Sequence, residues 1–469
     1  MTELTQLERA LEAASIGKWK AYPAYKDSGV EWLGKIPEQW SLWKIARAFS
    51  LIGSGTTPLT SHEEYYDGDI PWVNTTELRD GIIIDTSKKL TPKAILDYPT
   101  LQVYPAGTLL VALYGATIGK VGILQISATT NQACCAIFNS EQLIVGFTFY
   151  WFLAFRQQLI LLASGGGQPN ISQETIRSLR VPTPLLSEQR AITAFLDRET
   201  TRINTLIAKK QHLIELLQEK RAALISHAVT KGLDPNVKMK DSGVEWLGEI
   251  PEHWKMMRVR DVTKLIQTGP FGSQLHSDDY SPNGTPIINP SHLVDGHIQP
   301  DWDCAVDEEF RSRLERHILH DGDIVFARRG EMGRCALVTA IEEGWLCGTG
   351  SILVRPDTAL SLSAFLNRVL STRGVKDWLL LESVGSTMDN LNTGILSRIP
   401  LPMPPLSEQY AINAFIDQET ARIDALIARI GEAIEKLKEY SAALISAAVT
   451  GKIDVRGEVA SVGETKFGN

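Results

Sequence analysis

The sequence is poor in the features that most often announce a function. Five cysteines are spread over 469 residues. None forms a C-x-x-C, which excludes a disulfide framework or a sequence-evident zinc site as the organising principle. Positive charge is short: 47 Lys and Arg against 55 Asp and Glu leave a formal net charge of −8. That is the wrong sign for a chain that coats nucleic acid without regard to sequence. Long apolar runs are lacking too. The best, residues 142–155, is only 14 residues between Glu141 and Arg156, which suits a buried helix rather than a membrane span. Met1-Thr2-Glu3-Leu4 has no basic or apolar region of a secretory signal, so a reduced, cytoplasmic setting is expected.

Catalytic signatures are scarce as well. The 9 histidines form no H-E-x-x-H, and there is no G-x-S-x-G. Gly115–Lys120 is one residue short of a P-loop, and Val121 stands where Ser or Thr would hold magnesium. Asn289-Pro290-Ser291-His292 lacks the second proline and the aromatic of an amino-methyltransferase motif. The expectation is a chain with no catalytic residue, no metal ligand and no cofactor of its own.

What the sequence does have is repetition. Residues 27–40, DSGVEWLGKIPEQW, match residues 241–254, DSGVEWLGEIPEHW, at 12 of 14 positions, offset by 214. Residues 181–234 match 401–454 at 31 of 54 positions, offset by 220. The stretches between differ but share a skeleton. Ile70–Asn74 aligns with Thr285–Asn289, Gly107 with Gly322, Gly115–Lys120 with Gly330–Arg334, and Asn170-Ile171 with Asn390-Leu391. One part of each copy is nearly fixed and the other is divergent on a common frame.

The second repeated block opens with Pro-x-Pro-x-Leu-Ser-Glu-Gln and then runs for about 40 residues without proline. Ser187 suits an N-cap, and Glu188 suits the positive end of a helix dipole. Apolar residues at Ile192, Leu196, Ile203, Leu206, Leu213, Leu217 and Leu224 follow a heptad, as do Ile412, Ile416, Ile423, Leu426, Ile430, Leu437 and Leu444. Lys210 interrupts the series. Forty residues make a rod of about 60 Å. Two such rods with similar seams are expected to pair antiparallel, the alternative being that each packs on its own lobe. The repeated box carries Trp32 and Trp40, then Trp246 and Trp254. These tryptophans read as a clasp on each lobe or as anchors for a partner subunit. With Glu188, Gln189, Glu408 and Gln409 they are the partner-binding candidates.

The divergent stretches are each the size of one domain. Short β-like runs (107–113, 121–125, 323–327, 335–338) alternate with helical ones (148–162, 362–381), which reads as α+β. Their polar loops hold the residue types that reach base edges and phosphates. The DNA-binding candidates are Thr56, Thr57, Asn74, Thr75, Tyr114, Lys120, Gln168 and Asn170 in the first lobe. In the second they are Ser273, Asn289, Ser291, Arg328, Arg329, Arg334 and Asn390.

Taken together, the duplicated boxes, the duplicated helix openings and the divergent lobes resemble the specificity subunit of a type I restriction–modification system. The resemblance covers nearly the whole chain. It implies an α+β fold with two pseudo-symmetric target-recognition domains separated by two long helices in an antiparallel coiled coil. The expected division is 1–40, a first recognition domain at 41–185, a central helix and connector at 186–254, a second recognition domain at 255–405, a distal helix at 406–453 and a tail at 454–469. Each lobe would read one half of a bipartite, asymmetric double-stranded DNA site. The helices would set the spacer and dock two modification (methyltransferase) subunits. S-adenosylmethionine would sit on those partners, and ATP and magnesium on restriction (endonuclease) subunits that join them. No membrane is implied. A coiled-coil adaptor without DNA specificity is the alternative. Residues 41–180 carry 10 basic and 10 acidic side chains, and residues 255–400 carry 15 and 19. Weak binding by the isolated chain is therefore expected, the partners supplying most phosphate contacts.

Overall fold

Apolar runs flanked by Gly and Pro become strands where the sequence places them. The computed structural model describes residues 19–163, 170–270, 274–275, 279–294, 296–383 and 391–458. It divides into two units, one of residues 1–211 and 431–469, the other of residues 212–430. Both long helices contribute a segment to each unit.

In unit one, β1 (Leu51–Ser54), β2 (Tyr66–Val73), β3 (Gly81–Ile83), β4 (Lys89–Leu90), β5 (Leu109–Ala112), β6 (Val121–Leu124), β7 (Thr129–Thr130) and β8 (Cys134–Phe138) form two sheets. The larger has the order β1-β8-β5-β6-β3 and the smaller β7-β2-β4. In the smaller sheet β7 runs parallel to β2. Unit two has β9 (Thr263–Thr268), β10 (Thr285–Ile288), β11 (Ala305–Val306), β12 (Ile324–Ala327), β13 (Cys335–Leu337), β14 (Leu346–Cys347) and β15 (Ser351–Pro356). Its order β9-β15-β12-β13 repeats β1-β8-β5-β6, and β11-β10-β14 repeats β4-β2-β7. The parallel pair recurs as β10 with β14.

The central strands read as unbroken apolar runs because both of their faces are covered. Leu109 and Val111 of β5 join a core with Phe147, Trp151 and Phe152. Leu110 and Ala112 join a second core with Val73 and Tyr104. This is the period of two of a strand. Ile324 and Phe326 against Val325 and Ala327 repeat the division in unit two. The apolar stretch 142–155 supplies the buried helix Val145–Ala154 that covers one face.

The long helices are α1 (Leu186–Lys231, 46 residues) and α2 (Leu406–Val449, 44 residues). In unit one the start of α1 (Ile192, Phe195, Leu196) shares a core with the end of α2 (Leu444, Ala447, Val449), so the two run antiparallel there. In unit two the end of α1 (Ala228, Val229) meets the start of α2 (Ile412, Ile416). Arg221 of α1 pairs with Asp424 of α2 at 3.1 Å.

Two details differ from the sequence reading. Leu206, Leu213 and Leu426 are 43%, 45% and 46% exposed. The inward side chains after Ile203 are Ile207, Lys210, Ile214 and Leu217 instead. Four residues advance a helix about 40° past a full turn and three fall about 60° short, so Ile207 lies closer to the Ile203 line than Leu206 does. Lys210 continues the seam by its aliphatic stem. Ser187 is not the N-cap: the helix begins at Leu186, and Leu185 O accepts from both Glu188 N and Gln189 N at 2.9 Å.

The repeated motifs lock each unit internally. Glu188 Oε1 accepts from Trp40 Nε1 (3.1 Å) and Tyr22 OH (2.6 Å). Glu408 accepts from Trp254 Nε1 (2.9 Å). Gln189 Oε1 takes Ile144 N while its Nε2 donates to Gln142 O and Pro184 O. Gln409 does the same with Leu362 N, Leu360 O and Pro404 O. Burial, then the bond to Glu188, pushes the Tyr22 hydroxyl far above the ordinary phenol range. The boxes also close helix ends. Gly451 (φ +72°) ends α2 against Pro37 and Trp40, and Gly232 (φ +78°) ends α1 against Pro251 and Trp254, where a Cβ would clash or crowd. Trp32 lies half-buried against Phe155 at 4.8 Å, and Trp246 covers the backbone of Gly374.

The partner-binding assignment of Trp40, Trp254, Gln189 and Gln409 is therefore corrected. All four are 0% exposed and hold their own unit together. Trp32, Glu188, Trp246 and Glu408 belong to the same clasps. Glu188→Ala leaves the Tyr22 and Trp40 donors without an acceptor and is expected to cost about 1–3 kcal/mol. Glu188→Gln keeps one acceptor and is expected to cost less. Urea unfolding of the two variants checks this, and an unchanged midpoint for Glu188→Ala contradicts it.

Candidate nucleic-acid interface

In unit one, the polar turn that follows β7 gathers three loops. Thr57 Oγ1 donates to Gln132 Oε1 at 2.7 Å, and Asn131 Nδ2 donates to Asn74 Oδ1 at 3.4 Å. Leu113 N donates to Ala133 O at 2.8 Å, which brings the end of the β5 segment alongside. Gly55 N donates to Thr130 Oγ1 at 3.0 Å. A Cβ at Gly55 would lie 1.8 Å from Thr130 O, so only glycine permits this crossing. Tyr114, 38% exposed, bridges to Asn170, which is also exposed.

Unit two builds the same hub from Gly348-Thr349-Gly350. Gly348 N donates to Ile288 O (2.9 Å), Arg328 N to Gly350 O (2.8 Å) and Gly269 N to Ser351 O (3.0 Å). A Cβ at Gly269 would again fall 1.8 Å from a carbonyl oxygen, here of Gly348. Leu391 N donates to Arg328 O as Ile171 N does to Leu113 O, each at 2.9 Å. Arg329 therefore takes the place of Tyr114, one residue before a glycine of positive φ (Gly330, +83°; Gly115, +64°).

Sequence reasoning missed Asn131, Gln132 and Thr349. Their signal is a short polar stretch wedged between two buried strands. Gln132 and Thr349 are exposed at matching positions of the two hubs.

The predicted residues separate into groups. Ser291 and Arg329 are exposed like Tyr114 and Asn170, and Thr56, Thr57, Thr75 and Lys120 are half-buried at the loop edges. Arg329 has no ion pair among the described residues, so its guanidinium is available to an anion or a base edge. Arg328 is half-buried, and its Nε donates to Leu391 O at 3.3 Å. Arg334 is half-buried, with its Nε enclosed and without an acceptor among the described residues. The three arginines thus do not form one equivalent cluster. Gln168, Ser273 and Asn390 lie outside the described residues.

Asn74 and Asn289 frame turns. Asn74 N donates to Glu77 Oε2 at 2.9 Å, and Asn289 N donates to His292 Nδ1 at 3.2 Å. His292, Asp301 and Cys304 each bring one donor atom within 4.8 Å of the others, a grouping that could hold a metal ion. However, a neutral His292 that accepts at Nδ1 carries its proton on Nε2, so its ring is set as a turn cap rather than a ligand. The thiols are not poised nucleophiles either: burial pushes Cys335 up to about 11 and Cys135 and Cys347 up to about 12.

His292 gives the two lobes different responses to acid. Burial holds its pKa below the ordinary histidine value, against the weaker pull of Asp301. A lowered folded-state value favours the neutral ring. Its contribution is fully present above the unfolded value near 6.5 and is lost as the pH falls from there through the lower folded value. The protection factors of the Asn289, Ser291 and His292 amides, corrected for the intrinsic slowing of exchange in acid, are expected to fall from pH 7 to pH 5, and His292→Glu, which copies Glu77, is expected to remove most of that change. Equal acid sensitivity in the variant contradicts the assignment.

Comparison with known proteins agrees with this architecture. The family model described as Type I restriction modification DNA specificity domain matches residues 37–216 and 251–436. The chain is 24% identical to the type I restriction enzyme MjaVIII specificity subunit of Methanocaldococcus jannaschii, over 90% of this chain and 95% of that one. It is 21% identical to the EcoKI specificity subunit of Escherichia coli K12, over 90% of each. A solved chain from work on complex assembly and conformational transition of the type I R-M system superposes with a TM-score of 0.67 at 18% identity, covering 89% of this chain and 99% of that one. The HsdS subunit from Thermoanaerobacter tengcongensis gives 0.51 at 17%, covering 89% and 98%. These two likenesses bear on the fold. With two copies of its domain model spanning most of the sequence, the chain belongs to the type I restriction modification DNA specificity domain family.

Proposed function

We propose that this chain is the sequence-reading subunit of a type I restriction–modification complex and recognises a bipartite, asymmetric DNA site, one half per lobe. The observation that carries this reading is a single frame bearing different side chains at matching loop positions. Tyr114 stands opposite Arg329, Lys120 opposite Arg334, Glu77 opposite His292 and Gln132 opposite Thr349. Identical lobes would suit a palindrome, whereas divergent loops on one frame suit two unlike half-sites. Family membership disfavours the adaptor reading.

The chain's part is recognition rather than catalysis. Two modification subunits carrying S-adenosylmethionine methylate adenine, and restriction subunits using ATP and magnesium join them, in the cytoplasm. No helix among the described residues is long and apolar enough to cross a membrane. Because Trp40, Glu188, Gln189, Trp254 and Gln409 are buried, docking falls mainly to exposed side chains, among them apolar ones of the long helices. Leu206, Leu213, Leu216, Tyr410, Phe415 and Leu426 are all more than one-third exposed, an apolar display that supports a partner surface. Lobes of net charge 0 and −4 lack the positive field of a strong phosphate binder, which supports a division in which the partners grip the DNA.

Arg329→Ala is expected to cost about 1–3 kcal/mol in binding by the assembled complex and to relax one position of one half-site. Methylation mapping and competition binding check it. Equal weakening on every sequence reassigns Arg329 to a phosphate contact, and no change removes it from the interface.

A further inference from the structure

The two boxes are nearly identical, yet what covers them differs. In unit one Glu188 is 6% exposed. Tyr22 closes over it, with its hydroxyl 2.6 Å from Glu188 Oε1 and its ring edge-on to Trp40 at 5.7 Å. The Arg456 guanidinium lies 5.0 Å from the Tyr22 ring and is itself bonded to Asp454 at 2.6 Å. Tyr22 precedes the first box, and Arg456 follows α2. In unit two one continuous stretch joins α1 to the second box. The offsets of 214 for the boxes and 220 for the helices both land on Asn236. A single exposed asparagine thus stands where unit one has a tyrosine and an arginine.

The consequence is an open slot. A cavity of about 300 Å³ lies over Glu408, lined among others by Gly232, Leu233, Val237, Pro251 and His253. Asn236 does not line it. The Glu408 side chain is 39% exposed. Its Oε1 lies 2.6 Å from His253 Nε2 and its Oε2 accepts from Trp254 Nε1 at 2.9 Å. A carboxylate has about four acceptor sites, so capacity for another donor remains. Asp234, the counterpart of Asp454, also lines the cavity, is exposed and has no ion pair among the described residues.

From this internal comparison we infer that the cavity is a docking slot for a tyrosine side chain of a partner polypeptide. Its hydroxyl donates to Glu408, and a neighbouring Arg or Lys faces Asp234, as Tyr22 and Arg456 do in unit one. Lys231 also lines the cavity, but its ammonium is committed to Leu247 O and Glu249 O, so the two carboxylates favour that occupant over an acidic one. A partner polypeptide is supplied by the proposed assembly with modification subunits, and to that extent the inference rests on that reading.

The test has two arms. In the first, N-acetyl-tyrosinamide is titrated into the full chain carrying ¹³C-labelled histidine, and the His253 ring signal, assigned through His253→Gln, is followed. The expected result is a saturable shift, at least tenfold weaker binding of N-acetyl-phenylalaninamide, and loss of the shift in Val237→Trp, which fills the slot from its own wall. No saturable shift, or equal binding of the two amides, overturns the slot. The second arm asks whether modification subunits co-purify with the wild-type chain. Co-purification without amide binding refutes the slot and leaves the functional reading standing. Amide binding without co-purification keeps the slot and refutes the identity of its partner.

Discussion

A carboxylate at the start of each long helix, accepting a tryptophan indole, is the contact on which the rest depends. A helix of more than 40 residues has no intrinsic orientation to the lobe that precedes it. Glu188 with Trp40 and Glu408 with Trp254 fix that orientation one turn into the helix. The adjacent Gln189 and Gln409 complete the joint by satisfying backbone groups of the lobe's own loops and of the preceding proline. Unpaired, these polar groups would be costly where they are buried. The same tryptophans press on Gly451 and Gly232, so each box anchors the beginning of one helix and the end of the other.

With the joints fixed, the lobes are free to differ. Strand order, the parallel pair and the double burial of β5 and β12 are common to both. The differences include a fifth strand, β3, at the edge of unit one's larger sheet, and the side chains that project from the hubs at Thr130–Ala133 and Gly348–Gly350. Even the turn caps differ without changing the turn: a carboxylate serves Asn74 and an imidazole serves Asn289. Rigid frames that present variable loops are a common solution to recognition, because loop changes there do not cost the core.

Much of this was legible in the sequence. The repeats gave the two lobes and both long helices, and the apolar runs gave the central strands. Heptad spacing was legible but its phase was not, because Leu206 and Ile207 are equally apolar neighbours and only the packing decides which one faces in. The role of the Glu-Gln pair was hidden because such residues usually sit on surfaces, and their contacts reach partners 45 to 166 positions away in sequence. The hubs were missed for a related reason: Asn131, Gln132 and Thr349 act through hydrogen bonds and exposure, which leave no periodicity. Arg328, Arg329 and Arg334 looked alike in sequence, and only burial and contacts separated them.

In the proposed function each lobe reads its half-site independently of the other on a fixed frame. Exchanging residues 41–185 for the corresponding lobe of another specificity subunit, expressing the chain with its partner subunits and mapping methylated adenines tests it most directly. One half of the recognised sequence is expected to change while the other half and the spacer stay as they were. A change in both halves would contradict it.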